Sequence, residues 1–210
     1  HVAGDGETMG GREAAESEYS RRKLEDLFLP PFQEAVKAGA ASFMTAYQAI
    51  DGVPCTTNHW LLTEVLRDRW HSDAMVVTDW SNIRHLVTEH HTAATAAEGV
   101  APAIKAGNDM SMTDHTFFED AIEAHRRGDL TEAEIDLHVR RILTLKFKLG
   151  LFENPRYPDK AIREKTVGCK AHHELALEAA RRSAVLLKND NVLPLRMDVI
   201  RNIAVIGTNA

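Results

Sequence analysis

Residues 72–82 read Ser-Asp-Ala-Met-Val-Val-Thr-Asp-Trp-Ser-Asn. A short apolar run at 74–78 ends in a carboxylate, Asp79, followed at once by a large aromatic, Trp80. A strand buried in a parallel sheet reads as a continuous apolar run. In barrels made of such strands, chemistry sits at their C-terminal ends. A carboxylate there is placed to do chemistry, and an aromatic beside it can form one wall of a sugar site. Asp79 can equally cap the next helix or close a turn. On these residues alone both readings stand.

Metal chemistry has weaker support. His85, His90 and His91 do not share one helical face, because adjacent residues point apart. His172-His173 has the same defect. A metal site needs further well-placed ligands, so none is expected, and no cofactor is implied. Cys55 and Cys169 lie far apart in sequence and make neither a disulfide framework nor a metal-ligand pattern.

Composition excludes other classes. The formal net charge of -6 gives no electrostatic footprint for nucleic acid. No run approaches the roughly 18 apolar residues of a membrane span. With 210 residues, 44% of them hydrophobic, the chain can bury a sizeable core. That length suggests one domain, with part of another.

The elements that must position Asp79 follow from pattern. Residues 1–19 are rich in Gly, Ser and Glu and read as a loop. Ser20 opens a helix with Leu24, Leu27 and Phe28 on one face, and Pro30-Pro31 punctuates it. A strand at 42–46 and a Gly-Pro turn at 51–54 follow. Asn58 can cap a helix carrying Leu61, Leu62, Val65 and Leu66. After the strand before Asp79 come an Ala-rich segment and a short strand ending near Asp109. Gly128 closes a helix, and Thr131-Glu-Ala-Glu134 is a capping-box pattern opening another. Ile135, Val139, Ile142 and Leu143 would form its apolar stripe. Residues 174–188 read as a helix and 203–206 as a buried strand. Strands alternating with helices indicate an α/β fold with a parallel sheet. Pattern alone does not separate a barrel from an open sheet.

Further segments extend the pattern around Asp79. Upstream are Ala41-Ser-Phe-Met-Thr-Ala-Tyr47, Asp51-Gly-Val-Pro-Cys55 and Asn58-His-Trp-Leu-Leu-Thr-Glu-Val-Leu-Arg67. Downstream are Lys105-Ala-Gly-Asn-Asp-Met-Ser-Met112 and Arg140-Arg-Ile-Leu-Thr-Leu-Lys-Phe-Lys-Leu-Gly-Leu-Phe152. Ala184-Val-Leu-Leu-Lys-Asn189, Leu193-Pro-Leu195 and Ile203-Ala-Val-Ile-Gly-Thr-Asn-Ala210 complete the set. In this order and spacing the chain resembles glycoside hydrolase family 3, the β-glucosidase and β-xylosidase family, over essentially its whole length.

The resemblance implies a fold and a placement. Residues 1–150 would be the C-terminal half of a (β/α)8-type catalytic barrel. Residues 151–200 would be a closing helix and interdomain linker, and 201–210 the first strand of an α/β sandwich domain. His1-Val-Ala-Gly4 is similar to the middle of the family's Lys-His-Phe-Ala-Gly motif, so the chain is expected to be an internal piece of a larger enzyme. Its partners would be the remaining half-barrel and sandwich domain. A secreted or periplasmic parent fits this resemblance.

It also implies roles. Retaining glycosidases use two carboxyl groups, one ionised to attack and one protonated to release the leaving group. Asp79 matches the nucleophile, in Thr-Asp-Trp where the family usually has Ser-Asp-Trp. His1, Met44, Tyr47 and Trp80 match or neighbour the groups that hold a sugar ring. Gly10-Gly-Arg-Glu13 resembles the family's Gly-Gly-Arg-Asp loop. The acid/base would be a Glu beyond residue 210. Glu89, Glu98 and Asp109 are the substitutes within the chain, with a structural role at the barrel rim expected for Asp109. The substrate would be a terminal β-glucoside or an oligosaccharide. The alternative is a non-catalytic carbohydrate-binding or assembly fragment.

Overall fold

In the computed structural model, which describes residues 1–208, the strands are β1 (Glu16–Ser17), β2 (Ser42–Met44), β3 (Ala49–Ile50), β4 (Val53–Pro54), β5 (Met75–Trp80) and β6 (Met110–Met112). The α-helices are α1 (Arg21–Lys23), α2 (Pro30–Lys37), α3 (Asn82–Thr88), α4 (Ala96–Ala106), α5 (Phe117–Arg126), α6 (Glu132–Lys148), α7 (Lys160–Thr166) and α8 (Lys170–Ser183). Leu24–Phe28 and Trp60–Arg69 are wound as π-helices. The chain divides into two compact units, His1–Pro155 and Arg156–Ala210.

In the first unit β5 lies between β2 and β6, parallel to both. Val2 bridges Thr45 in the same parallel sense. Val2, β2, β5 and β6 therefore stand side by side in chain order, as expected of an α/β fold. The β5–β6 pairing holds a β-bulge: Val77 pairs with Met110 but Trp80 with Met112. Three steps along β5 thus match two along β6, and the extra residue falls between Val77 and Trp80, in the stretch that holds Thr78 and Asp79. A small second sheet joins β1 in parallel to β3, which turns back into β4. Asp51 and Gly52 make that turn with φ of 50° and 79°, the two-residue hairpin that Asp-Gly favours.

Burial of apolar faces explains the helices. Leu61, Leu62, Val65 and Leu66 of the 60–69 helix pack in one core with Phe43 and Val76 of the strands. Asn58 Oδ1 accepts from Leu61 N at 3.0 Å and caps that helix. In α4, Val100, Ala103 and Ile104 join Ile83, Ala124 and Leu130 in a second core. Pro30 occupies the first turn of α2, where the missing N–H has no partner to lose. The Thr131–Glu134 capping box forms at α6 as expected.

Three expectations change. The N-terminal stretch is not all loop, since Val2 and Ala3 are buried and Val2 N donates to Met44 O at 2.8 Å. Leu27 is exposed rather than on a buried face. In α6, Val139 and Leu143 are exposed, and the one buried residue is His138. Its ring is drawn inward by a buried carboxylate described below.

In the second unit Asp159 caps α7, its Oδ1 accepting from Ile162 N at 2.9 Å. Residues 203–206, expected as a strand, adopt none, and their side chains are exposed. A strand exists by pairing, and among the described residues nothing pairs with this one. The last two positions of the expected sandwich strand, 209 and 210, lie outside the described residues.

Candidate active site

Asp79 sits near the C-terminal end of β5, buried to 8% exposure. Bulges near sites re-aim a side chain, and the one in β5 falls between Val77 and Trp80, the stretch that includes Asp79. Oδ1 accepts a hydrogen bond from the backbone amide of Trp80 at 2.6 Å. Oδ2 lies 2.6 Å from His1 Nε2, in ion-pair range. No hydrogen bond of good geometry reaches that buried oxygen. One carboxylate oxygen is therefore anchored by the backbone, and the other faces the His1 ring.

Tyr47 follows β2 and directs its hydroxyl at Asp79. Burial, then the adjacent carboxylate, pushes its pKa up to about 12. The phenol therefore stays protonated and can donate to Asp79. His1 meets the Tyr47 ring edge-on, with centroids 6.2 Å apart. His1 Nδ1 also lies 3.6 Å from Asp5. Trp80 is 61% exposed and borders a cleft of about 260 Å³ with Arg84, Thr113, Asp114, His115 and Asp120. Met44 pairs with Val77, two residues before Asp79, so it adjoins the site on the neighbouring strand.

The backbone after Asp79 is strained. Ser81 and Thr113, which follow β5 and β6, both have left-handed backbones, with φ of 53° and 62°. Such conformations are unfavourable for non-glycine residues and cluster at functional sites. The two residues support each other: Ser81 N donates to Met112 O at 3.0 Å and to Thr113 Oγ1 at 3.1 Å. Asn82, fully buried, donates from Nδ2 to Ala46 O at 3.1 Å and ties the start of α3 to the end of β2.

Two of the three substitute carboxylates, Asp109 and Glu98, are engaged elsewhere. Asp109 precedes β6 instead of ending a strand. Its Oδ2 accepts from Val76 N at 2.8 Å and Arg67 Nη2 at 3.1 Å. Its Oδ1 meets His138 Nδ1 at 2.7 Å and Arg141 Nη1 at 3.0 Å. Val76 lies near the start of β5, so this carboxylate works at the end of the sheet opposite Asp79. Burial, with Arg141 nearby, lowers the Arg67 pKa to about 10. Glu98 accepts from Ala94 N at 3.0 Å at the start of α4. Glu89 is exposed at the end of α3. Among the described residues no three His, Cys, Asp or Glu side chains converge on a metal position. No described helix is long and apolar enough to cross a membrane.

Sequence reasoning weighed His85 only as a metal ligand and did not single out Asn82. His85 stacks against Tyr47 at 4.9 Å. Its spacing of six residues from Asp79 was the only signal, and it is not helical periodicity.

The arrangement is that of an α/β protein with a strand-end carboxylate set among aromatic and histidine side chains. Residues 1–145 match the glycosyl hydrolase family 3 N terminal domain, and the chain belongs to that family. It is 39% identical to the lysosomal β-glucosidase of Dictyostelium discoideum, over 100% of this chain and 26% of that protein. It is also 39% identical to a β-xylosidase of Formosa agariphila, over 100% of this chain and 30% of that protein. A solved β-glucosidase involved in saponin metabolism from intestinal bacteria is 47% identical, with a TM-score of 0.79 over 94% of this chain and 26% of that one. A β-glucosidase from Listeria innocua, solved with glucose, is 34% identical, with a TM-score of 0.77 over 93% of this chain and 27% of that one. The chain spans less than a third of the length of each.

Proposed function

We propose that this chain is part of the catalytic barrel of a retaining β-glycosidase acting on terminal β-linked glucose, or on a related sugar such as xylose. The observation that carries the reading is Asp79, buried at the end of a parallel strand with one oxygen anchored by Trp80 N and the other facing His1 Nε2 at 2.6 Å. Asp79 forms a bond to the anomeric carbon as the glycosidic C–O bond breaks. The departing oxygen takes a proton from a second carboxyl group, and the glycosyl-enzyme is then hydrolysed by water that the same group deprotonates. Two inversions leave the configuration retained.

The second carboxyl group lies outside these 210 residues on this reading. The engagements of Asp109 and Glu98 support that, as does the greater length of the relatives. Val2, β2, β5 and β6, parallel and in chain order, are what consecutive strands of a (β/α)8 barrel would present. The other strands, and the sandwich domain, would be this chain's partners in the parent protein. Trp80, Tyr47 and His1 would line the sugar position. That the Listeria enzyme was solved with glucose agrees with a glucosyl substrate.

The test is trapping. A 2-deoxy-2-fluoro-β-glucoside with an activated leaving group, incubated with the full-length protein, should label the peptide containing Asp79. A label on another carboxylate overturns the assignment. Comparing kcat/KM for aryl β-glucosides and β-xylosides then decides the sugar.

A further inference from the structure

His85 takes no part in the chemistry described above, yet it packs against it. Its ring lies 4.9 Å from that of Tyr47, centroid to centroid, tilted by 40°. Its Nδ1 is buried and makes no hydrogen bond. Burying a polar atom without a partner is unfavourable, so that nitrogen does not hold the ring in place and its aromatic contact does. Five residues on, His90 Nε2 lies 2.8 Å from the backbone carbonyl of Tyr47. Burial lowers the His90 pKa, so the neutral ring donates there at neutral pH. His90 N in turn bonds to His85 O at 2.9 Å.

Tyr47 is thus held at three places by one continuous stretch of chain. Asp79 faces its hydroxyl, His85 covers its ring, and His90 fixes its carbonyl. The stretch runs from β5 directly into α3, whose first residue is three positions beyond Asp79. The strand that carries the carboxylate therefore also carries the groups that orient the phenol facing it.

We propose that His85 is a positioning residue: its ring holds the Tyr47 phenol so that the hydroxyl meets Asp79, and so fixes the carboxylate for attack. The inference rests on Asp79 being the nucleophile. It assigns His85 a role through its flat face and none through its nitrogens.

The test is a double-mutant cycle in the full-length protein on an aryl β-glucoside. His85→Ala should lower kcat about three- to ten-fold, the size of an aromatic pair contact, with a smaller change in KM. His85→Phe, which keeps a flat ring, should recover most of the loss. In a Tyr47→Phe background, His85→Ala should change kcat less than about twofold, because the hydroxyl it positions is gone. Equal losses in both backgrounds overturn the proposal, and so does a Phe variant as impaired as the Ala one. If His85→Ala does not accumulate, His85→Leu fills the space without a flat face and enters the cycle with the same two outcomes. Asp79→Ala, made alongside, separates the two failures. Activity surviving in that variant overturns the nucleophile assignment, whereas additivity with Asp79→Ala inactive overturns only the role of His85.

Discussion

Oδ1 of Asp79 lies 2.6 Å from the amide nitrogen of Trp80, the next residue along β5. That bond fixes the carboxylate plane relative to the strand; on the proposed reading Oδ2 is the attacking atom. Asp79→Asn keeps the shape and can keep this hydrogen bond, but an amide is a poor nucleophile. The variant should fold with an unchanged Tm and lose on the order of 10³-fold or more in kcat, as loss of an enzymatic nucleophile does. Steady-state kinetics and calorimetry on the full-length protein check both halves.

Tyr47→Phe removes a hydroxyl that faces a charged carboxylate. Hydrogen bonds to charged groups contribute about 1.5–3 kcal/mol, so kcat should fall about 10- to 100-fold. Because the phenol pKa is pushed up to about 12, Tyr47 stays protonated across the usual assay range. The alkaline limb of the pH–rate profile between pH 7 and 10 should therefore keep its midpoint in the variant. A midpoint that moved would show Tyr47 titrating in that range.

Stability should fall at alkaline pH, and the sign follows from two groups. Burial pushes the Cys55 thiol up, and burial with Asp79 pushes the Tyr47 phenol up. In the unfolded chain they ionise from about pH 8.5 and about pH 10. Above those values the unfolded state binds fewer protons than the native one, so stability drops as pH rises. Each group adds a slope of about 1.4 kcal/mol per pH unit while it is ionised only in the unfolded state. Chemical denaturation from pH 7 to 11 should show the fall beginning near pH 8.5. Cys55→Ala should delay its onset to near pH 10.

Asp109 is a second buried carboxylate with the opposite profile. Its side chain is fully buried among Arg67, Arg141, His138 and the Val76 amide. Asp109→Ala leaves two guanidinium groups clustered without their counter-charge. Removing one partner of a buried pair typically costs about 3–5 kcal/mol. The expected outcome is a large drop in Tm or in soluble yield, with kcat per active site in the surviving fraction changed far less than by Asp79→Asn. Active-site titration with the fluorosugar supplies that normalisation.

Gly4 should not tolerate a side chain. Its φ is 79°, and an added Cβ would stand 2.7 Å from the Tyr19 ring, whose hydroxyl donates to Gly4 O. Gly4→Ala should destabilise by about 1–3 kcal/mol, as overpacking does. In Gly4→Ala/Tyr19→Leu the ring is gone and only the backbone penalty remains, so the further loss from the alanine should shrink. Urea titration of the four proteins measures it.

Much of the local architecture was legible because it is written in short-range chemistry. The apolar run before Asp79 became β5, Asn58 and Thr131 became helix caps, and Asp51-Gly52 made a hairpin. What was not legible depends on long-range partners. Ile135, Val139, Ile142 and Leu143 form a reasonable stripe, yet α6 buries His138, because Asp109, 29 residues away in sequence, holds it at 2.7 Å. Asp109 was placed at a strand end where periodicity could put it, but the strand begins after it. Asp79, Tyr47, Trp80 and His1 came from ordered motifs; the structure brings Asp79, Tyr47 and His1 together, while the exposed Trp80 ring lines a cleft that holds none of the three. His85 escaped because its partner, Tyr47, lies 38 positions upstream and no spacing rule links them.

The bulge between Val77 and Trp80 has a practical consequence for redesign. It is a property of chain length, not of side-chain identity: three residues of β5 span what β6 spans with two. No library of point substitutions can reproduce or remove that offset, whereas one deletion at Thr78 can. Neighbouring strands would then march in step, and the carboxylate would be carried round with the pleat, away from Tyr47. Directed evolution that draws only on substitutions will keep this aim fixed while it varies everything around it. The segment from Val77 to Trp80 is therefore the place where a single-codon change in length, in either direction, most directly changes the direction in which Asp79 points.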